Sequence, residues 1–487
     1  LIDMTLRFYS FLAFLLFNIV SASAASAASS VRGGENEKRT YIKLPKTYRF
    51  RISLTDKKNC GYSVKHPEKF LSPASLARRK RFGLKVDSHD LPLTQTYVSE
   101  ICREGVREVN RSKWNNSLVV EVSDTSLLSR IRNLPFVKDA NLVWISPDSI
   151  LAPVVGPSRL DLLKPTAEDT LLDSVLATMP TRDFGARQSS MIGADTLHAR
   201  GFTGKGVTIA VIDGGFLNVD VIPGLQRAKI LGTRNFVHPD LSVYATEESH
   251  GTNVLSCIAA RESSHLTGTA PDASFYLFVS EDGLSEQAVE EDNWCAAVEY
   301  ADSLGCDIVT SSLGYTQFQH DFMNTPYASL DGKSHPNSRS ASLAASRGIV
   351  LLNSAGNSGD EPWKKIGFPA DADHILAVGA VDSLGVNTNF SSVGHAADGR
   401  VKPDVMAMGQ KSFVLSARGR LRTANGTSFS CPILCGGVAC LMQACPKATP
   451  EQIVNAVKMS GNNAAHPDNI FGYGIPSLPR ALEMLQK

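Results

Sequence analysis

No sign of charge dominates this chain: 49 Lys and Arg stand against 48 Asp and Glu, a formal net charge of +1. That balance leaves no chain-level electrostatic footprint for nucleic acid or acidic lipid, so no nucleic-acid partner is expected. Metal-site spacing is missing as well. The nine cysteines include no CxxC pair and no histidine partner at zinc-finger spacing, which excludes a structural zinc site of that kind. Several cysteines lie in apolar runs, as in Cys435-Gly-Gly-Val-Ala-Cys440-Leu-Met, and are expected to be small buried hydrophobes. Beyond residue 20 no segment reads as long and apolar enough to span a membrane. No repeat or low-complexity tract appears outside the N-terminal region. What is there is ordinary globular composition, 43% hydrophobic and 20% charged, in a length that suits two to three domains or one large domain with an appendage.

Reading from Met4, a basic residue (Arg7) precedes the apolar stretch Phe8–Val20, and Ser-Ala-Ser-Ala-Ala-Ser-Ala follows. This pattern predicts a secretory signal peptide over residues 4–27 with an exit near Ala24 or Ala27. The alternative, a transmembrane anchor, needs a longer apolar run. The product is expected to be secreted or periplasmic, with no stable membrane anchor after signal cleavage. That compartment would permit one or two disulfides.

Residues 28–40 read as a linker, and 42–150 as a compact α+β domain. Alternation in Tyr48–Leu54 predicts a strand. A helix over 73–82 opens at Ser72-Pro73 and closes at Gly83. It carries Arg78-Arg79-Lys80-Arg81, read as a solvated face, or else as a basic cleavage site. A helix at Thr94–Arg103, strands at Gly105–Val109 and Ser117–Val122, a helix at Asp124–Asn133 and a strand at Phe136–Ile145 complete the unit. The order is β-α-β-β-α-β with one extra helix, a ferredoxin-like motif. Residues 151–185 read as a connector. From 186 to 485 strands and helices alternate, which predicts an α/β domain with a mostly parallel sheet. Its strands are expected at Val207–Ile212, Ser274–Val279, Ile308–Ser311, Ile349–Asn353 and Ile375–Val381, all apolar as in sheets buried on both faces.

Three motifs stand at element ends. Val211-Ile212-Asp213-Gly214-Gly215 puts a carboxylate at the end of a buried strand, where α/β proteins place their sites. Ser249-His250-Gly251-Thr252 puts an imidazole at a helix start. Gly426-Thr427-Ser428-Phe429-Ser430-Cys431-Pro432 puts a hydroxyl at a glycine-led turn that opens an apolar helix running to about Gln443. Each alone is weak: a strand-end Asp is often a cap, a lone His is more often structural, and Gly-Thr-Ser can be an N-cap and no more. Together, in the chain order Asp…His…Ser, they specify one of the three known triad orders. A fourth motif, Asn353-Ser354-Ala355-Gly356-Asn357, ends the strand at Ile349 and offers an amide to a developing oxyanion.

On these motifs the region from about 190 to 480 resembles the subtilase family of serine peptidases. Further landmarks are Gly206-Val207, Thr269-Ala270-Pro271-Asp272-Ala273 and Lys402-Pro403-Asp404-Val405. The resemblance implies a subtilisin-like domain in which Asp213, His250 and Ser428 are catalytic and Asn357 serves the oxyanion hole. Ser312-Leu313-Gly314 resembles the substrate-pairing segment, and Ala355-Gly356 a wall of the primary specificity pocket. Gly214 stands where a Ser or Thr is usual, so a hydroxyl that would bond the Asp213 carboxylate is missing. Asn253 replaces a common second histidine, and Phe429-Ser430 a common Met-Ala. The chemistry requires no cofactor, and the family often carries structural calcium whose ligands this sequence does not assign. Segment 42–150 resembles the inhibitor-like propeptides of the family. The chain is thus expected to be a self-inhibited zymogen cleaved within 147–186, with its own prodomain and protein or peptide substrates as partners. A permanent N-terminal domain is the alternative to a removable one. A pocket wall of Ala, Gly and Asn with no evident acidic residue suggests apolar or aromatic side chains before the cut. Two other classes compete: a catalytically silent binding protein on the same fold, which would lack a triad member, and a lipase-like hydrolase. The latter wants a G-x-S-x-G elbow and a histidine after the serine, and only His466 follows.

Overall fold

The computed structural model describes residues 41–151, 159–166, 183–246, 248–262 and 265–487. The expected signal peptide (4–27) lies outside the described residues, as do 152–158 and 167–182 of the expected connector.

The N-terminal unit is built on four antiparallel strands: β1 (Tyr48–Leu54), β2 (Val106–Ser112), β3 (Ser117–Val122) and β4 (Val137–Ile145), in the spatial order β2-β3-β1-β4. Helices α1 (Pro73–Phe82), α2 (Gln95–Ile101) and α3 (Leu127–Arg132) connect them. Alternation decides the buried face of β1: Phe50, Ile52 and Leu54 point into a core shared with Val98, Ile101, Leu128 and Ile131. Ser72 caps α1 by accepting from the Ser75 N–H at 3.1 Å, and Gly83 ends it in the left-handed region.

The larger unit is a seven-stranded parallel sheet. Its strands are β5 (Thr208–Asp213), β6 (Lys229–Asn235), β7 (Ser274–Val279), β8 (Ile308–Ser311), β9 (Val350–Ser354), β10 (Leu376–Val381) and β11 (Val405–Met408), in the order β11-β10-β9-β8-β5-β7-β6. The two strands without a sequence forecast, β6 and β11, are the two edges. Successive residues face opposite layers. Ile209 and Val211 join a core with α4 (His250–Ala259) and α6 (Thr427–Ala444), while Ala210 and Ile212 join one with α5 (Val289–Leu304). Among the described residues α6 is the one helix long and apolar enough to cross a membrane, and it is buried inside this core. All nine cysteines are free; six are buried and Cys60, Cys102 and Cys445 are half-buried.

The chain leaves β5 for the β6–β7 side and returns past it to β8. That reversal makes the carboxyl end of β5 the switch point of the sheet, where an α/β protein binds ligands. Asp213 sits there, level with Val279 of β7.

The N-terminal unit covers α5. Arg51 of β1 donates from Nε to Asp292 (2.7 Å) and from Nη2 to Glu291 (2.8 Å). Glu299 accepts from the Ser112 hydroxyl (2.5 Å) and from the Lys113 and Trp114 N–H groups (3.0 and 3.1 Å). The basic run does not behave as its composition suggests. Arg78 and Arg79 are 4% and 2% exposed, so this part of α1 is neither a solvated face nor an open cleavage site. Both guanidinium groups converge on the buried Asp302. Arg78 also donates to the Arg347 and Cys306 carbonyls, each at 2.9 Å. A helix rich in arginine is solvated only when no buried carboxylate faces it, and here α5 supplies one.

Candidate active site

Asp213, His250 and Ser428 line one cleft of about 660 Å³ together with Ser312, Leu313, Gly314, Gly356 and Asn357. The Asp213 carboxylate is fully buried. Its Oδ1 accepts from the His250 Nδ1–H at 2.8 Å and from the Gly214 N–H at 2.8 Å. Its Oδ2 is buried without a partner, in keeping with the hydroxyl missing at Gly214. Two effects oppose each other on His250. Burial disfavours the imidazolium, but the Asp213 charge and its hydrogen bond outweigh that, aided by Glu248, and the pKa is raised above the ordinary histidine value.

Glycine at 251 lets α4 approach the strand end. A Cβ there would lie 2.5 Å from the Gly215 oxygen and 2.9 Å from the Asp213 Cβ. Any larger residue would push His250 away from its carboxylate.

Ser428 is the second residue of α6, so its N–H has no intrahelical carbonyl to bond. Four residues on, Pro432 has no N–H to give to the Ser428 carbonyl. The Ser312 hydroxyl donates to that carbonyl instead, at 2.9 Å. In return the Ser428 Oγ donates to the Ser312 carbonyl at 3.3 Å. The structure therefore joins Asp213 to His250 but holds the serine hydroxyl on Ser312. The ring of the adjacent Phe429 is 6.0 Å from that of His250.

Asn357 stands across the cleft. Its Oδ1 accepts from the Thr427 N–H (2.8 Å) and hydroxyl (2.9 Å), which fixes the amide and leaves Nδ2 as its free donor. Gly356 has φ +110° and a Cβ there would meet the Ser392 Oγ at 2.8 Å, so only glycine fits. Ala355, expected on the pocket wall, does not reach the surface. It is buried with Ile366, Ala370 and Ala377, and its N–H donates to the Val378 carbonyl at 3.0 Å. Asp404, in the Lys402–Val405 landmark, is buried between Lys402 Nζ (2.7 Å) and Lys458 Nζ (2.8 Å).

The sequence profile of the Subtilase family matches residues 204–474, more than half of the chain and all of the site just described. The chain belongs to the subtilase family. It is a serine endopeptidase by class, and residues 49–149 match the profile of the Bacteroidota Peptidase S8 propeptide domain. Subtilisin NAT of Bacillus subtilis subsp. natto is 32% identical over 288 residues, covering 58% of this chain and 67% of its own length. The alkaline protease of Alkalihalobacillus alcalophilus is 28% identical over 356 residues, covering 73% and 81%. Among solved structures, MycP1 from the ESX-1 type VII secretion system aligns with a TM-score of 0.50 and 23% identity over 62% of this chain and 88% of its own, a likeness of fold.

The sequence reading missed the acidic wall of this subtilase's cleft. Glu248, Glu281, Asp282, Glu286 and Glu290 all line it. The signal was present: Ser280-Glu281-Asp282-Gly-Leu-Ser-Glu286 follows β7 directly, and β7 pairs with the strand that ends in Asp213.

Proposed function

We propose that Asp213, His250 and Ser428 are the catalytic triad of a secreted or periplasmic endopeptidase made as a self-inhibited zymogen. The observation that carries this reading is the 2.8 Å bond from His250 Nδ1–H to the buried Asp213, in a cleft that also holds Ser428. That bond fixes the tautomer and leaves Nε2 to act as a base. The Ser428 hydroxyl turns from the Ser312 carbonyl to His250, which takes its proton as Oγ attacks the scissile carbonyl carbon. The carbonyl electrons move to oxygen, and the oxyanion accepts from Asn357 Nδ2–H and Ser428 N–H. His250 then returns the proton to the leaving amine, and the acyl-enzyme is hydrolysed by water through the same base. Asp213 stabilises the imidazolium and stays ionised. These steps use the side chains named, the Ser428 backbone N–H and water.

The unit over 42–150 acts as the inhibitor and folding template. A parallel sheet has many non-local contacts and folds slowly without one. Cleavage within 147–186 releases it, and the signal peptide over 4–27 directs export. Casein hydrolysis by the Ser428→Ala protein tests the assignment: loss of activity is expected, and a parent-like rate would end it. Mass spectrometry of the mature protein tests removal, which an N-terminus upstream of Tyr48 would reject.

A further inference from the structure

One wall of the cleft is built from carboxylates. Glu281, Asp282 and Glu286 follow β7, Glu290 lies in the first turn of α5, and Glu248 precedes His250 by two residues. Gly214 lies between two of them: a Cβ there would be 3.7 Å from Glu281 Cβ and 3.8 Å from Glu248 Cβ. No lysine or arginine is among the residues that line this cleft.

Several buried carboxylates elsewhere are matched by cations: Glu291 and Asp292 by Arg51, Asp302 by Arg78 and Arg79, Asp404 by Lys402. Others have every bond they need from hydroxyls and N–H groups, as Glu299 from Ser112, Lys113 and Trp114, and Asp371 from Ser338 and Gly332. The wall lacks such cations. Glu281 accepts only from hydroxyls, of Tyr315 (2.5 Å) and Ser280 (2.9 Å). One oxygen of Glu290 accepts from the Asp282 N–H at 2.8 Å. The other, Oε2, is buried with no partner, in a residue 1% exposed. Leaving such an oxygen without a donor is costly. Burial, reinforced by repulsion from neighbouring carboxylates, pushes Glu281 up to about 8 and Glu290 to about 11. Glu281 and Glu290 thus hold protons near neutral pH, and a cation placed beside them would displace those protons.

We infer that this wall is a subsite for a lysine or arginine side chain of the peptide substrate, among the residues preceding the scissile bond. The inference rests on the reading of Ser428 as nucleophile. Its geometry follows from Ser312–Gly314. That segment starts at the carbonyl bonded to Ser428 Oγ and runs to Tyr315, whose hydroxyl bonds Glu281. A peptide paired along it carries its side chains past the carboxylates. Among the described residues no cluster of three or more ligating side chains is arranged to hold a metal ion, which favours an organic cation.

The test uses the active protein matured from the full chain. Peptides identical except for Lys, Arg, norleucine or Glu at each position before the cut are compared by kcat/KM. At one position or more, Lys or Arg is expected to exceed norleucine by about tenfold or more, with Glu the poorest. Glu290→Gln and Glu281→Gln should each bring the Lys-to-norleucine ratio toward one, as should added salt. Equal rates for Lys and norleucine, a ratio retained in both variants, or a ratio abolished by a chelator would overturn the subsite. Labelling of Ser428 by a fluorophosphonate separates the two failures. A labelled protein without cation preference loses the subsite alone; a protein neither labelled nor active loses the nucleophile and the subsite together. Binding of the same peptides to the Ser428→Ala protein repeats the comparison without turnover.

Discussion

The Ser312 hydroxyl donates to the Ser428 carbonyl at 2.9 Å, in the place that the backbone of residue 432 would fill if it were not proline. The peptide of Ser428 is therefore held from the opposite side of the cleft. Ser312→Ala leaves that carbonyl without its donor. It is expected to cost about 1–3 kcal/mol in stability and to lower kcat more than it raises KM. Urea unfolding of the Ser428→Ala background and steady-state kinetics of the active protein check the two effects separately.

Asp213 raises the basicity of His250, so the pH profile carries its signature. The histidine must be neutral to act as base. Its pKa is raised by Asp213 beyond the opposing effect of burial, so kcat/KM should fall with acidification, with a midpoint above the ordinary value of about 6.5. Asp213→Asn should lower kcat by about 10⁴-fold and move that midpoint down. A profile unchanged in position would contradict the electrostatic role.

Gly214 leaves Asp213 Oδ2 buried and unpartnered. Space exists for a hydroxyl, because the neighbours of an added Cβ stand at 3.7–3.8 Å. Gly214→Ser should stabilise the folded protein by about 1 kcal/mol through a new bond to the carboxylate. The midpoint of denaturant unfolding reads this directly.

Asp302 receives two buried arginines from the N-terminal unit. Asp302→Ala would leave Arg78 with carbonyl partners only, while Arg79 keeps Asp90 at 2.8 Å, and breaking a buried pair costs about 3–5 kcal/mol. Weakened association of the propeptide unit is expected, visible as earlier release during maturation or as a lower melting temperature of the uncleaved Ser428→Ala chain.

Much of this was legible in the sequence, for identifiable reasons. Strands β7 and β8 are short apolar runs buried on both faces, and their limits read directly. The edge strand β6, Lys-Ile-Leu-Gly-Thr-Arg-Asn, is half polar because one side lacks a neighbour, and its pattern resembles a loop. Strand β11 is four residues long and hides behind Pro403. That Asp213, His250 and Ser428 share one cleft was legible because glycines and strand ends flag them. The Ser428–Ser312 exchange was not, since it depends on a rotamer and a carbonyl. Arg78 and Arg79 were misread because burial of a charge depends on a partner, Asp302, more than two hundred residues away in sequence. Ala355 was placed on the pocket wall by its neighbours Gly356 and Asn357, yet strand β9 continues its buried character through it.

The oxyanion assignment has its own expectation. Asn357→Ala should lower kcat by about 10²–10³, a figure carried over from subtilisin, while leaving KM nearly constant. Asn357→Asp should be no better, because it replaces the donor with a negative charge.

The central claim is that Ser428 is made nucleophilic by His250. The most direct measurement is the rate and site of modification by a fluorophosphonate, mapped by peptide mass spectrometry across pH in the parent and the His250→Ala protein. The account predicts a single adduct on Ser428 that forms more slowly in acid and is nearly lost in the variant. Modification at another residue, or an equal rate without His250, would contradict it.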